Sequence, residues 1–439
     1  MRKRIGLAAL ALLLAGQSLG TGAQARDLAI HAGHLIDGVT KTVRANVTIL
    51  IHDDRITAVQ PGFTNPPGAQ VIDLSRSTVL PGLIDCHVHL SQQFDGGNPV
   101  AEEVTETDYD AAVKSTAYAR HTLLAGFTSA RDVGAPLGPI VALRNAINKG
   151  TVDGPRLWVA GPPLGPTGGH NDSANGFDPA ISNPEWAESN IDSPEEARKE
   201  VRKLRREGVN LIKIMPSGGV LSVGDDPTRQ LMADDEIAAV VQTAHSLGLK
   251  VAAHAHGTQA INTAVRLGVD SIEHGTYADA SSYALMKQHG TYLVPTMLIG
   301  QRAYDIAKAH PEQLNPSAAA KAIATVPRMQ KNLHDAYVSG VKIAFGTDES
   351  LVPHGENAKE FALMVKAGMK PIDTIFAATA SAADLIGDSA DIGSVQKGRY
   401  ADIIAVNGDP VADVTQLEHV QFVMKGGTVY KQNGQIVPR

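Results

Sequence analysis

Between about Pro81 and about Ala390 the chain alternates short apolar strands with amphipathic helical stretches, and this alternation leaves few folds open. The first strand lies in Leu80-Pro81-Gly82-Leu83-Ile84-Asp85-Cys86-His87-Val88-His89-Leu90, opened by a Pro-Gly turn. Seven more follow at residues 126–130, 156–160, 209–214, 250–254, 269–274, 291–294 and 341–346. Helical signals separate them. The clearest is Ser193-Pro194-Glu195-Glu196, an N-cap with proline at the first helical position and glutamate at the third, leading to Gly208 as a stop. In that helix Ala197, Val201 and Leu204 form the apolar stripe, and the Arg/Lys run is a solvated face. Eight strands alternating with helices over roughly 250 to 300 residues predict an α/β fold, a (β/α)8 TIM barrel, whose chemistry belongs at the C-terminal ends of the strands.

Both flanks have another character. Leu28–His31, Val47–Ile51 and Arg55–Val59 are short β-branched runs punctuated by Asp37-Gly38, Asp53-Asp54 and Pro61-Gly62, and strands return at residues 401–406 and 420–424. The two ends therefore predict one small β-sandwich domain assembled from both termini: residues 26–80 and 393–439 around a barrel over 81–392. His31, His34 and His52 fall within it and read as ordinary surface or core histidines.

Residues 1–25 have the form of a secretory signal peptide: Arg2, Lys3 and Arg4, an apolar stretch from Ile5 to Ala15, and the small-x-small site Ala23-Gln24-Ala25 before Arg26. A membrane anchor needs about 20 apolar residues, and this run is shorter and broken by Gly16-Gln17-Ser18. The expectation is a periplasmic or secreted protein without membrane attachment after cleavage. The one cysteine of the sequence, Cys86, allows no intramolecular disulfide and reads as a small buried hydrophobe. A net charge of −7 over 439 residues, with no domain-sized basic surface, argues against a nucleic-acid partner.

His87 and His89 stand two apart in a strand, so both rings face one side and can share one divalent ion. Lys213, His254, His274 and Asp348 occupy other predicted strand ends. Each has a bland alternative: a capped core histidine, a snorkelling lysine, a helix-capping aspartate. Their joint placement at one barrel mouth favours chemistry. Lys213, between Leu211-Ile212 and Ile214, would be costly to bury as an ammonium. As a neutral amine it can add carbon dioxide, and the resulting carbamate can bridge two cations roughly 3.5 to 4 Å apart.

Here the sequence resembles the metal-dependent amidohydrolase superfamily over essentially the whole chain after residue 25. The resemblance rests on residues 81–89, Ile212-Lys213-Ile214, Ala253-His254-Ala255-His256-Gly257, Ile272-Glu273-His274-Gly275, Gly346-Thr347-Asp348 and Gly398-Arg399-Tyr400-Ala401-Asp402. It implies that His87, His89 and Asp348 hold one metal, that His254 and His274 hold the other, and that carboxylated Lys213 bridges both. Asp348 is also the implied base, taking a proton from the attacking hydroxide and passing it to the leaving amine. Zinc suits these ligands, with manganese or cobalt as alternatives. His256 shares a strand face with His254 and competes with it for the second metal; the family motif favours His254 and leaves His256 as a support for the ligands or a substrate contact, and His170 in Thr167-Gly168-Gly169-His170-Asn171-Asp172 resembles a substrate contact. Arg131-Asp132 reads as a structural ion pair.

The signal peptide, the Gly-Gly-His loop and Ile212-Lys213-Ile214-Met215-Pro216-Ser217-Gly218-Gly219 look most like the Xaa-Pro dipeptidase and carboxypeptidase-like branch, and within it the bacterial members that hydrolyse ochratoxin A. That implies cleavage of the amide between an acyl group and a C-terminal amino acid, in a small amide or dipeptide, by a homo-oligomer, often an octamer. Leu221, Val223, Met297 and Leu298 are candidates to line an apolar pocket; His170, Arg131, Arg229 and His354 are unranked candidates to bind the substrate carboxylate. A cyclic-amide or lactone hydrolase of the same superfamily would use the same ligands. An exported, non-catalytic metal-binding protein is the alternative of another class.

Overall fold

The computed structural model describes residues 27–94, 104–178, 180–181 and 189–438; the leader expected over 1–25 lies outside them. The chain opens with β1 (Asp27–Leu35), β2 (Arg44–His52) and β3 (Arg55–Pro61), an antiparallel meander. A fourth strand, β4 (Gln70–Pro81), was not expected from the sequence. Its polar residues Asp73, Ser75, Arg76 and Ser77 hide the apolar face carried by Ile72, Leu74 and Val79, all buried.

Gly82 then separates β4 from β5 (Leu83–Val88). Any side chain there would collide with Thr128, whose Oγ1 lies 2.0 Å from the position of a Cβ, so the close approach requires glycine. β6 (Phe127–Asp132) pairs in parallel with β5 on one side and with β7 (Arg156–Val159) on the other, in a three-stranded sheet. β8 (Leu211–Ile214), β9 (Lys250–Ala255), β10 (Ser271–His274) and β11 (Tyr292–Val294) form a four-stranded parallel sheet. Bonds from Leu164 N to Lys213 O (2.8 Å) and from Met215 N to Leu164 O (2.9 Å) join the two sheets on one side. The eighth strand expected over 341–346 is reduced to bridges. Leu293 pairs with Ile343 and Val88 with Glu349, and Cys86 N donates to Phe345 O at 2.8 Å.

β12 (Ile403–Asn407), β13 (Phe422–Lys425), β14 (Thr428–Gln432) and β15 (Gln435–Ile436) end the described chain. They pair with the N-terminal strands in one continuous eight-stranded sheet, order β15-β14-β13-β12-β4-β1-β2-β3, so the pairing does not divide into two sheets. β4 is the link. It runs parallel to β1 and antiparallel to β12, with Leu80 opposite Ile404.

Local rules account for the helices. Ser193 Oγ accepts from Glu196 N at 3.3 Å to start the helix Pro194–Glu207, and Gly208 ends it at φ 99°. Its stripe of Ala197, Val201 and Leu204 is wholly buried, and burial of Val201 or Leu204 stabilises by about 1.5–3 kcal/mol each. Among the described residues no helix is long and apolar enough to cross a membrane.

Candidate active site

The strand ends deliver their polar residues to one place. His87 Nε2 and His89 Nε2 lie 3.5 and 3.0 Å from Asp348 Oδ1. Two donors about 2.1 Å from a common ion stand roughly 3.0–3.5 Å apart, so this spacing is that of ligands around one cation. The opposite ring atoms are tied back. His87 Nδ1 donates to Glu273 Oε2 at 2.7 Å and His89 Nδ1 to Gly134 O at 2.7 Å, which aims both Nε2 atoms at Asp348.

His254, His256 and His274 form a second group, with donor atoms within 4.8 Å of one another. His254 Nε2 donates to Gly218 O at 3.2 Å, leaving Nδ1 as its lone-pair atom. The Nδ1 atoms of His256 and His274 bond the hydroxyls of Thr276 and Thr296 at 2.8 and 2.6 Å. The His87 and His274 ring centroids are 5.2 Å apart, so the groups adjoin. Lys213, 1% exposed, lies on β8 opposite Ala252 of β9, two residues before His254, and its charge lowers the pKa of His87, His254 and His274. Burial pushes its pKa down to about 8, within reach of the neutral amine.

Asp348 and His274 both adopt left-handed backbone conformations, at φ 58° and 68°. The first is fixed on every side. Asp348 N donates to His87 O at 2.8 Å, the preceding Thr347 Oγ1 bonds Asp85 Oδ2 at 2.7 Å, and the following Glu349 is bonded by Asn357 and His354. Burial alone would raise the Asp348 carboxyl, but His87 and His89 hold it far below the usual carboxylate range.

His170 joins this constellation, its ring stacked 4.3 Å from that of His254 and its Nδ1 3.9 Å from Asp225 Oδ2. Asp225 is itself held by Lys321 Nζ at 2.8 Å and Ser222 Oγ at 2.6 Å. The other carboxylate-binding candidates separate. Arg131 is buried and bonds Glu273 Oε1 at 2.8 Å, Ser271 Oγ at 3.0 Å and Cys86 O at 2.5 Å. It is a structural ion pair, but with Glu273 in place of Asp132, whose carboxylate accepts from Leu90 N and Gly134 N. His354 is enclosed between Glu349 and Gln92 O, and Arg229 is exposed beside Asp226. Met297 and Leu298 are buried, Leu221 packs against the main core, and Val223 lies against Gly176. Cys86 is buried, which pushes its thiol up to about 12 and removes it as a nucleophile.

Sequence reading missed Glu273, although a carboxylate inside the apolar run Ser271-Ile272-Glu273-His274 carries the same signal that marked Lys213. Burial opposes its ionisation, yet Arg131 and His87 hold it down to about 2.

These buried groups set an acid limit. Unfolded histidine titrates near 6.5, whereas burial holds His87 and His170 at about 4, His256 at about 3, and His254 and His274 well below 6.5. Each depressed group contributes stability that is present above pH 6.5 and is lost as pH falls towards its folded value. Asp85 and Asp132, raised by burial to about 7 and about 6, act in the opposite sense, as do the raised Glu349, Glu360 and His89. The lowered carboxyls Glu273 and Asp348 add to the five imidazoles, and together they outnumber that group. The chelator-treated protein is expected to lose Tm as pH falls from 6.5 to 4; a flat Tm across that window would contradict this balance.

Residues 78–431 of the chain match the amidohydrolase family. Ochratoxinase of Aspergillus niger is 32% identical over 437 residues, 94% of this chain and 88% of that enzyme. Its crystal structure superposes with a TM-score of 0.82 at 30% identity, covering 93% of this chain and 96% of that one. A Xaa-Pro dipeptidase with methionine bound in its active site superposes with a TM-score of 0.88 at 37% identity, covering 92% of this chain and all of that one. By sequence and architecture together, this chain belongs to the amidohydrolase family and is a hydrolase of amide bonds.

Proposed function

We propose that the protein is a binuclear metal-dependent amidohydrolase that cuts the amide between an acyl group and a C-terminal amino acid, converting ochratoxin A to ochratoxin alpha and L-phenylalanine. The observation that carries this reading is the adjacency of two donor groups, His87–His89–Asp348 and His254–His256–His274, with Lys213 buried on β8, the strand next to that of His254. In it, His87, His89 and Asp348 would hold one ion and His254 and His274 the second, with Lys213, as a carbamate, supplying a further anionic ligand. The mixed imidazole and carboxylate donors fit zinc. Bound divalent cations would supply Lewis acidity for the scissile carbonyl and lower the pKa of the attacking water. Asp348 takes a proton at its carboxylate and returns it to the leaving nitrogen. His170 and His256, whose rings each lie against that of His254, contact the substrate. The two parallel sheets, with the bonds through Leu164 and Phe345, are read as one (β/α)8 barrel over 81–392, carried by a β-domain of 26–80 and 393–439. Export by the leader and assembly into a homo-oligomer complete the proposal.

A second substrate reading, Xaa-Pro dipeptides, is favoured by the 37% identity to a Xaa-Pro dipeptidase and by a prolidase complexed with N-methylphosphonate-L-proline, 31% identical with a TM-score of 0.84. The test is release of free phenylalanine from ochratoxin A by residues 26–439 reconstituted with zinc. Release should vanish on chelation and return with metal. No release from protein shown to hold two metals would sink the ochratoxin assignment and transfer it to Xaa-Pro dipeptides.

A further inference from the structure

The helix Met297–Ala309 begins in an unusual way. Its N-cap residue is Thr296, a type that ordinarily takes an extended backbone and turns its hydroxyl onto the amides of the first turn. Thr296 does neither. Its φ is 46°, a left-handed conformation costly for a β-branched residue, and its side chain makes no capping bond. The hydroxyl instead meets His274 Nδ1 at 2.6 Å. The first-turn amides are taken by a side chain from another helix: Glu360, of Lys359–Lys366, accepts from Met297 N at 2.9 Å through one carboxylate oxygen and from Leu298 N at 2.6 Å through the other. Thr296 and Glu360 are both fully buried, so neither has water as an alternative partner.

His274 needs such support. It ends β10 at φ 68°, where the regular strand no longer fixes the direction of its ring. A hydrogen bond at Nδ1 leaves one rotation of the ring, with Nε2 directed at the donor group, as the satisfied state.

We propose that Thr296 and Glu360 are a positioning pair for His274: Glu360 caps the helix in place of Thr296, which leaves the threonine hydroxyl to hold the His274 ring towards the metal. The pair acts through His274 and touches no reacting atom. The inference rests on the proposed role of His274 as a ligand of the second cation, and the two can fail separately.

The test is a zinc-affinity cycle on metal-free protein, using competition with a fluorescent chelator, together with thermal unfolding without metal. Wild type should bind two zinc ions. Thr296→Val, which keeps the shape and removes the hydroxyl, should weaken one of them by about 10–100-fold and leave the other unchanged. Glu360→Gln frees the threonine to turn back onto its helix, and should weaken the same ion to a smaller extent. In the Thr296→Val background, Glu360→Gln should change zinc affinity no further, because the hydroxyl it releases is gone. Thr296→Ser retains the hydroxyl and should bind both ions as wild type does; this variant decides the matter should the valine variant not fold. Two wild-type affinities in Thr296→Val, lost affinity in Thr296→Ser, or fully additive losses in the double variant would each overturn the pair. Binding of fewer than two zinc ions by wild type would instead overturn the binuclear reading beneath it.

Discussion

Asp348→Asn is expected to lower kcat for phenylalanine release by about 10⁴-fold, the upper end of what a positioned general base contributes. Asn retains one oxygen at the atom that now faces His87 and His89 at 3.5 and 3.0 Å, so zinc should be held more weakly but not abandoned. What disappears is the site for the proton in transit. The measurement is single-turnover release at saturating substrate, alongside zinc content by elemental analysis. This variant also separates hydrolysis from mere metal capture: a protein whose task is binding alone would lose function only in proportion to lost zinc. A kcat within tenfold of wild type, with both metals present, would remove Asp348 from the chemistry.

Arg131→Met is expected to destabilise the protein by about 3–5 kcal/mol, because it leaves the Glu273 carboxylate buried without its counter-charge. Arg131 and Glu273 are 3% and 0% exposed, so water cannot replace the lost partner. His87, whose Nδ1 already donates to the same carboxylate at 2.7 Å, would then be drawn towards taking a second proton at Nε2. Unfolding of metal-free protein followed by denaturant titration gives the number directly. Arg131→Met combined with Glu273→Leu, which removes both charges, should recover much of the loss. Unchanged stability in the single variant would mean that the pair is not what sustains this part of the floor.

Much of the candidate donor cluster was legible in the sequence because it follows from strand geometry. His87 and His89 fall on one face by the two-residue period, and Lys213 is conspicuous as a charge in a run of aliphatics. The layer beneath it was not. Arg131 and Glu273 are 142 residues apart, and neither names the other. Glu360 lies on a short amphipathic helix where a glutamate is unremarked by any periodicity. At the level of the fold, β4 escaped because its alternating polar residues resemble a loop. The eighth strand was expected too long. Its end, Gly346, passes so near Val294 and His87 that a Cβ would lie 2.4 Å from the Val294 side chain, and such proximity is a tertiary fact.

The place of β4 has a consequence for how the molecule is made. Its one edge is satisfied by β1, already synthesised when β4 emerges; its other edge waits for β12, more than 300 residues later. Throughout that interval a nascent chain carries an open strand edge with Val79 and Leu80 upon it, a template for pairing with any neighbouring chain. The last-made strands thus act as the chain's own seal, and truncation before Ile403 should convert a folded enzyme into an aggregating one even though every candidate metal ligand has been translated.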